Sequence, residues 1–191
     1  MYGGAFDPPH LAHVALARAA VHECGLLRLH IVPTGAAGHK ARPLSAARHR
    51  LAMCRAAFDG LPRCVVDERE LRRSGVSYTI DTLRELQAAY PGARLLLLIG
   101  ADQAAALHTW REVEAICEMA DIAIAARAGV EAVPAALPTA ARVQHLALPA
   151  AAHSSTAARA LAASGQVRAL LDVVPLEVAV YIARHHLYQQ D

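Results

Sequence analysis

Two histidines three residues apart, His10 and His13, stand near the start of the chain behind Gly3, Gly4 and an Asp7-Pro8-Pro9 turn. Glycines let main-chain amides approach a phosphate closely. Pro9 suits the first position of a helix. The spacing then sets His10 and His13 about one turn apart near a helix N-terminus, where free N–H groups and the dipole favour anions. The chemistry this set suits is the binding of phosphate. A lone GG or a lone HxxH would read as a tight turn and two surface histidines. Neither the dinucleotide fingerprint GxGxxG nor the P-loop GxxxxGK[ST] is present. A second set lies far along the chain: Ser154, Thr156 and Arg159. Its hydroxyls can cap a helix. The same helix start can take a phosphate, and Arg159, one turn on, can reach the phosphate oxygens.

Groups so far apart in sequence need a frame. Residues after Pro9 predict a helix, with Leu11, Val14, Ala15 and Val21 near one face, Arg18 at its edge, and Gly25 as its stop. Leu29 to Val32 predicts a short strand, and Pro33 to Leu44 a loop. Ser45 is placed to cap a helix carrying Leu51, Met53 and Phe58. Cys64 to Asp67 predicts a strand, and Glu68 to Ser77 a polar excursion from the sheet. Thr79 to Tyr90 predicts a helix with Ile80, Leu83 and Leu86 on one side, ended by Pro91-Gly92. Leu95 to Ile99 is a continuous apolar run, the signature of a strand buried on both faces. A helix is expected through Trp110 to Met119, then strands at Ile122–Ala126 and Val143–Leu148 joined by a Pro-containing loop. A helix starts near Ser155, and a last one runs from about Val174 to His186. Strands alternating with helices imply an α/β fold: a Rossmann-like, doubly wound parallel sheet with helices on both faces. In such sheets ligands bind beyond the carboxyl ends of the strands, near a switch in strand order.

The totals agree with this frame. The 191 residues fit a single domain, 1–191, with a helical C-terminal part from about 153 to 191, and 55% are hydrophobic. No apolar run is long enough to cross a bilayer, and no signal peptide is visible. Cys24, Cys54, Cys64 and Cys117 form no CxxC pair, which suits reduced thiols in a cytoplasmic protein rather than disulfides or a metal site. A net charge of +2 excludes a broadly basic nucleic-acid binder. The one basic stretch, His39, Lys40, Arg42, Arg48, His49 and Arg50, reads as a solvated loop and helix face or as a docking site for a small phosphorylated ligand.

The stretch GGAFDPPHLAH resembles the GGTFDPxHxGH signature of nucleotidyltransferases, and the chain more narrowly resembles the bacterial nicotinate-nucleotide adenylyltransferases. The segments Asp67–Leu71, Ser77–Leu83, Ile99–Asp102, Thr109–Arg111 and His153–Arg159 follow in that family's order, the last similar to its ISxTxxR signature. The resemblance implies transfer of the adenylyl group of ATP to nicotinate mononucleotide, giving deamido-NAD and pyrophosphate. It makes His10, His13 and Arg159 catalytic. It assigns Gly3, Gly4, Ala5, Phe6, His10, His13, Gly100, Asp102, Ser154, Thr156 and Arg159 to ATP. Thr34, His39 and Lys40 are implied for the mononucleotide phosphate, Tyr78 and Thr79 for the nicotinate side, and Trp110 for stacking on the pyridine ring. On the residues alone, Trp110 is equally a core tryptophan and Asp102 equally a helix cap. Mg²⁺ would travel on the ATP phosphates, with no protein metal cage. No nucleic-acid or membrane partner is implied, and the sequence is compatible with a homo-oligomer. The nearest alternative is a pantetheine-phosphate adenylyltransferase. Another is a non-catalytic nucleotide-binding protein.

Five positions depart from the pattern: Ala5 for threonine, Ala12 for the glycine of HxGH, glycines at 35 and 38, and His153 for an apolar residue. The largest departure is at the front. The family's first strand, central in the sheet, is here cut to almost nothing before Gly3. Its neighbours are expected to face a gap, with each buried unpaired amide costing about 1–3 kcal/mol. Met1 and Tyr2 are not expected to fill it, which suggests a start a few codons upstream or a degraded homologue.

Overall fold

The computed structural model describes residues 1–36, 43–127, 137–148 and 153–189. Six strands, all parallel, form one sheet: β1 (Tyr2–Gly4), β2 (Leu29–Pro33), β3 (Cys64–Val66), β4 (Leu95–Gly100), β5 (Ala120–Arg127) and β6 (Val143–Leu148). Their spatial order is β3-β2-β1-β4-β5-β6. The chain runs outward from β1 through β2 and β3, then returns to the other side of β1 for β4. The crevice between β1 and β4 is therefore the point where strand order switches.

The expected gap is filled. Tyr2, Gly3 and Gly4 pair with Ile31, Val32 and Pro33 on one side, and Tyr2 pairs with Leu98 on the other. Met1 continues the ladder: its amino nitrogen donates to the Leu96 carbonyl at 2.6 Å, and its carbonyl accepts from the Leu98 N–H at 2.9 Å. Four residues suffice because Tyr2 also packs edge-on against Phe6, with ring centroids 5.4 Å apart.

The helices are α1 (Leu11–Glu23), α2 (Ala47–Phe58), α3 (Arg69–Arg72), α4 (Thr79–Ala89), α5 (Ala101–Ala106), α6 (Val113–Met119), α7 (Ser155–Ala163), α8 (Val167–Leu171) and α9 (Leu176–Arg184). They make a core on each side of the sheet. Leu98 faces the core built with α1, α2 and α7–α9, whose centre holds Phe6, Leu16, Met53, Phe58 and Val178. Its neighbours Leu97 and Ile99 face the other core, with Ile80 and Leu83 of α4 and Ile116 of α6. Adjacent strand side chains point to opposite faces, so one apolar run serves both cores.

Several local expectations are corrected. Pro9 lies before the cap of α1 rather than in its first turn, because His10 is the cap. The buried face of α1 is Leu16, Ala17 and Ala20, and Ala15 is exposed. Ser45 caps nothing: α2 starts at Ala47, and the Ser45 N–H donates to the Asp7 carboxylate. The helix expected through Trp110 is broken. A 3-10 turn ends at Thr109, Trp110 is extended, and Glu112 is left-handed with φ 54°. Arg84 of α4 holds Glu112 in that break, Nη2 to Oε2 at 2.6 Å.

Candidate active site

A cavity of about 790 Å³ opens over the carboxyl ends of β1 and β4. One part of its wall is Gly3, Gly4, Ala5, His10, Ala12, His13 and His153. Another is Thr34, Glu70, Ser77, Thr79 and Trp110, with Gly100, Ala101, Asp102 and Gln103 from the end of β4. A single cavity thus collects residues from the first turn after nearly every strand.

The two histidines are built by the helix start. The main-chain N–H of His10 donates to Nδ1 of His13 at 3.1 Å, the third helical residue reaching back to the cap. With Nδ1 accepting, a neutral His13 carries its proton on Nε2 and is a donor there. The rings stack with centroids 3.6 Å apart. Burial pulls His10 down to about 4, and the nearby His153 imidazole adds to the effect. Burial, then the proximity of His10, holds His13 well below the ordinary imidazole range. Both rings are therefore neutral at pH 7 in the free protein. Among the described residues, His10 Nδ1 is buried without a hydrogen-bond partner, which leaves it open to a ligand.

The Ser154–Arg159 segment is tied to the front turn. Arg159 donates from Nη1 to the Asp7 carbonyl at 2.8 Å and from Nη2 to Thr156 Oγ1 at 3.1 Å. Ser155 Oγ donates to the Pro8 carbonyl at 2.9 Å. Ser154 fills the capping role, its hydroxyl accepting from the Ala157 N–H at 3.1 Å. Ser154, Thr156 and Arg159 lie outside the cavity wall. They sit beside it, on a helix start that Arg159 and Ser155 bind to the Asp7–Pro8 turn.

Other predicted residues divide. Gly3, Gly4, Ala5, His10, His13, Gly100, Asp102, Thr34, Thr79 and Trp110 all line the cavity. Phe6 does not: it is 1% exposed, packed among Tyr2, His13 and Phe58, so only its main chain remains available to a nucleotide. The Tyr78 ring lies beneath the Arg111 guanidinium at 4.7 Å instead of lining the cavity. His39 and Lys40 lie outside the described residues.

Three residues to which the sequence assigned no role in the site hold it in shape. Arg50, read as part of a solvated face or of a docking site for a phosphorylated ligand, is instead 3% exposed. It donates from Nε to the Ser45 carbonyl and from Nη1 to the carbonyls of Ala5 and Thr34, at 3.0, 3.2 and 2.7 Å. Asp7 is equally buried and accepts from the Ser45 N–H at 3.1 Å and from the Tyr188 hydroxyl at 2.7 Å. Glu70 accepts from Thr82 Oγ1 at 2.8 Å and from the Gly35 N–H at 3.4 Å. Burial pushes its carboxyl up despite those donors. Glycine is required at 35, where a Cβ would meet the Glu70 carbonyl at 2.2 Å. A helical-face slot for Arg50 among Met53, Cys54 and Phe58 was the available signal for its burial.

Among the described residues, no group of three or more His, Cys, Asp or Glu is placed to hold a metal, and no helix is long and apolar enough to cross a membrane.

The sequence profile of the cytidylyltransferase-like family matches residues 1–161. A probable nicotinate-nucleotide adenylyltransferase of Albidiferax ferrireducens is 49% identical over 99% of this chain and 96% of its own length. One from Methylibium petroleiphilum is 44% identical over 98% and 91%. A solved structure of the Plasmodium falciparum nicotinic acid mononucleotide adenylyltransferase complexed with NaAD superposes with a TM-score of 0.78 over 98% of this chain and 95% of that one, at 18% identity, a match of fold. The front turn, the paired histidines and the Arg159 helix fall inside the matched span, and the chain belongs to the cytidylyltransferase-like family, among its nicotinate-nucleotide adenylyltransferases.

Proposed function

We propose that this protein joins the adenylyl group of ATP to the phosphate of nicotinate mononucleotide, giving deamido-NAD and pyrophosphate in NAD biosynthesis. The observation that carries the reading is the single cavity at the β1–β4 switch point, with neutral imidazoles and glycine amides in one part and Trp110 with Thr79 in another. About 790 Å³ lies toward the upper end of the usual range for ligand pockets.

A phosphate oxygen of the mononucleotide attacks the α-phosphorus of ATP, and the bond from that phosphorus to the bridging oxygen of pyrophosphate breaks. The nucleophile is already anionic, so no base is needed and no covalent intermediate forms. Catalysis then rests on alignment and on stabilising charge that moves toward the leaving pyrophosphate. His13 donates from Nε2, His10 offers the ring whose Nδ1 lacks a partner, and the main-chain amides of Gly3–Phe6 approach the phosphates. Arg159 and the start of α7, with Ser154 and Thr156, take the β and γ phosphates. Gly100 and Asp102 bind the ATP ribose. Trp110 stacks on the pyridine ring, Tyr78 and Thr79 bind the nicotinate side through their amides, and Thr34, with His39 and Lys40, takes the mononucleotide phosphate.

The imidazole and amide donors of the phosphate wall suit phosphate oxygens better than Mg²⁺, which prefers oxygen ligands and keeps its waters. Mg²⁺ would arrive on the ATP phosphates and neutralise part of the charge developing on pyrophosphate. In this reading residues 1–191 work as one nucleotidyltransferase domain whose part from about 153 supplies Arg159. Four cysteines outside any CxxC pair suit a reducing compartment, and we assign the cytoplasm.

Pyrophosphate release is measured with ATP, Mg²⁺ and one of three acceptors: nicotinate mononucleotide, its amide, or pantetheine phosphate. The highest kcat/KM is expected with nicotinate mononucleotide. A preference for pantetheine phosphate, or ATP binding without release on any acceptor, would overturn the assignment.

A further inference from the structure

His153 is the third imidazole in the cavity wall, beside His10 and His13. It is half-buried, and no hydrogen bond or carboxylate pairs with it among the described residues. It directly precedes Ser154, the cap of α7. That helix start is fixed against the front turn by the Ser155–Pro8 and Arg159–Asp7 hydrogen bonds. The main chain of His153 is therefore held in place relative to the α1 histidines, although 140 residues separate it from His13. It is close enough to His10 to oppose the protonation of that ring.

An unpaired imidazole beside two others is an unfavourable arrangement in an empty pocket. His153 raises the cost of placing a proton on His10, and His10 does the same to His13. A polyanion reverses this, because phosphate oxygens accept from imidazole N–H groups and favour the protonated rings. The titratable groups facing this corner are His10 and His13 at the start of α1, and the Arg159 guanidinium from α7 lies beside it, on the Asp7 carbonyl. The carboxylates in the cavity wall, Asp102 and Glu70, come from the end of β4 and from α3.

We infer that His153 is a direct ligand of the nucleoside triphosphate, donating from its imidazole to a polyphosphate oxygen and making a three-histidine cluster with His10 and His13. The inference rests on the adenylyl-transfer reading and adds to it a contact that the paired-histidine motif and the Arg159 motif do not contain. It also gives the chain a reason to carry a polar ring at a position where its family signature is apolar.

The test uses the intact protein and four variants: His153→Gln, His153→Ile, His153→Lys and His153→Phe. Binding of a non-hydrolysable ATP analogue is followed by calorimetry in buffers of different ionisation enthalpy, which counts the protons taken up. Steady-state kinetics with nicotinate mononucleotide are measured in parallel, and melting temperature checks folding. Loss of one charge-assisted hydrogen bond predicts a KM for ATP raised about tenfold in the Gln and Ile variants. Their kcat stays within about twofold, and proton uptake falls. The Lys variant recovers affinity without the proton uptake. The inference is overturned if the Gln and Ile variants keep wild-type KM and proton uptake. It is equally overturned if Phe substitutes as well as His, which would mean a ring contact rather than a phosphate contact. Wild-type protein that binds the analogue but transfers nothing would sink the transferase reading while leaving the His153 contact measurable. Failure of wild type to bind the analogue would overturn both.

Discussion

The guanidinium of Arg159 donates to the main-chain carbonyl of Asp7 at 2.8 Å, across 152 residues of sequence. This bond joins the front turn to the start of α7 within the protein itself. Arg159 thus has a fixed base at the front turn, and its charge lies beside the cavity. Replacing it with Ala removes both the tether and the charge. We expect kcat/KM for ATP to fall at least about 100-fold, since a lost charged donor to the leaving pyrophosphate costs several kcal/mol. The Lys variant recovers only part, because a point charge cannot make the forked contacts to Asp7 and Thr156 together. Steady-state kinetics of the two variants, with melting temperature as a control, check this. Equal kcat/KM in wild type and Ala variant would remove Arg159 from the mechanism.

Asp7 gives a stability prediction. Its two oxygens accept from the Ser45 N–H and the Tyr188 hydroxyl, and the side chain is 1% exposed. Asp7→Ala leaves both donors without an acceptor, at about 1–3 kcal/mol each. Tyr188→Phe removes a donor and leaves Asp7 its bond from Ser45, so it should cost less. Chemical denaturation of the two variants gives the comparison, and a smaller loss for Asp7→Ala than for Tyr188→Phe would contradict it.

Much of the frame was legible in the sequence because apolar periodicity follows from packing. The Leu95–Ile99 run, the α4 face of Ile80, Leu83 and Leu86, and the end at Pro91-Gly92 each needed only local information. Asp7, Arg50 and Glu70 were harder to read. Many of their partners are main-chain groups, of Ser45, Ala5, Thr34 and Gly35, and a main-chain partner leaves no mark in residue type; the side-chain partner of Asp7, Tyr188, lies 181 residues away. The short β1 was misjudged for a related reason. Its stability comes from pairing on both sides and from Tyr2 against Phe6, not from its length.

The histidine pair gives a pH prediction. His10 binds its proton less readily in the folded protein, about 4 against an ordinary 6.5, and His13 is lowered in the same direction. Below about pH 6.5 the unfolded chain therefore takes up protons that the folded one refuses. The stability carried by the neutral rings is complete above that pH and is lost as pH falls toward 4. Melting temperature measured across this range should fall more steeply for wild type than for His10→Asn. Parallel curves for the two would contradict the assignment of neutral, buried imidazoles.

Gly35 links shape to substrate. A methyl at this position would overlap the Glu70 carbonyl at 2.2 Å and crowd Ser77 Oγ at 2.7 Å. Overpacking of this kind costs about 1–3 kcal/mol, and Thr34 beside it lines the cavity. Gly35→Ala should lower the melting temperature and raise the KM for nicotinate mononucleotide more than the KM for ATP. An equal rise in both would mean that this wall does not serve the mononucleotide.

The central claim is direct adenylyl transfer, and the most direct test follows the phosphorus. ATP labelled at the α-phosphate is incubated with nicotinate mononucleotide, Mg²⁺ and the protein, and the products are separated. The account predicts that the label appears in deamido-NAD, and that label in the γ-phosphate, run in parallel, appears in pyrophosphate. Labelled AMP without a dinucleotide, or no transfer by folded protein, would contradict it.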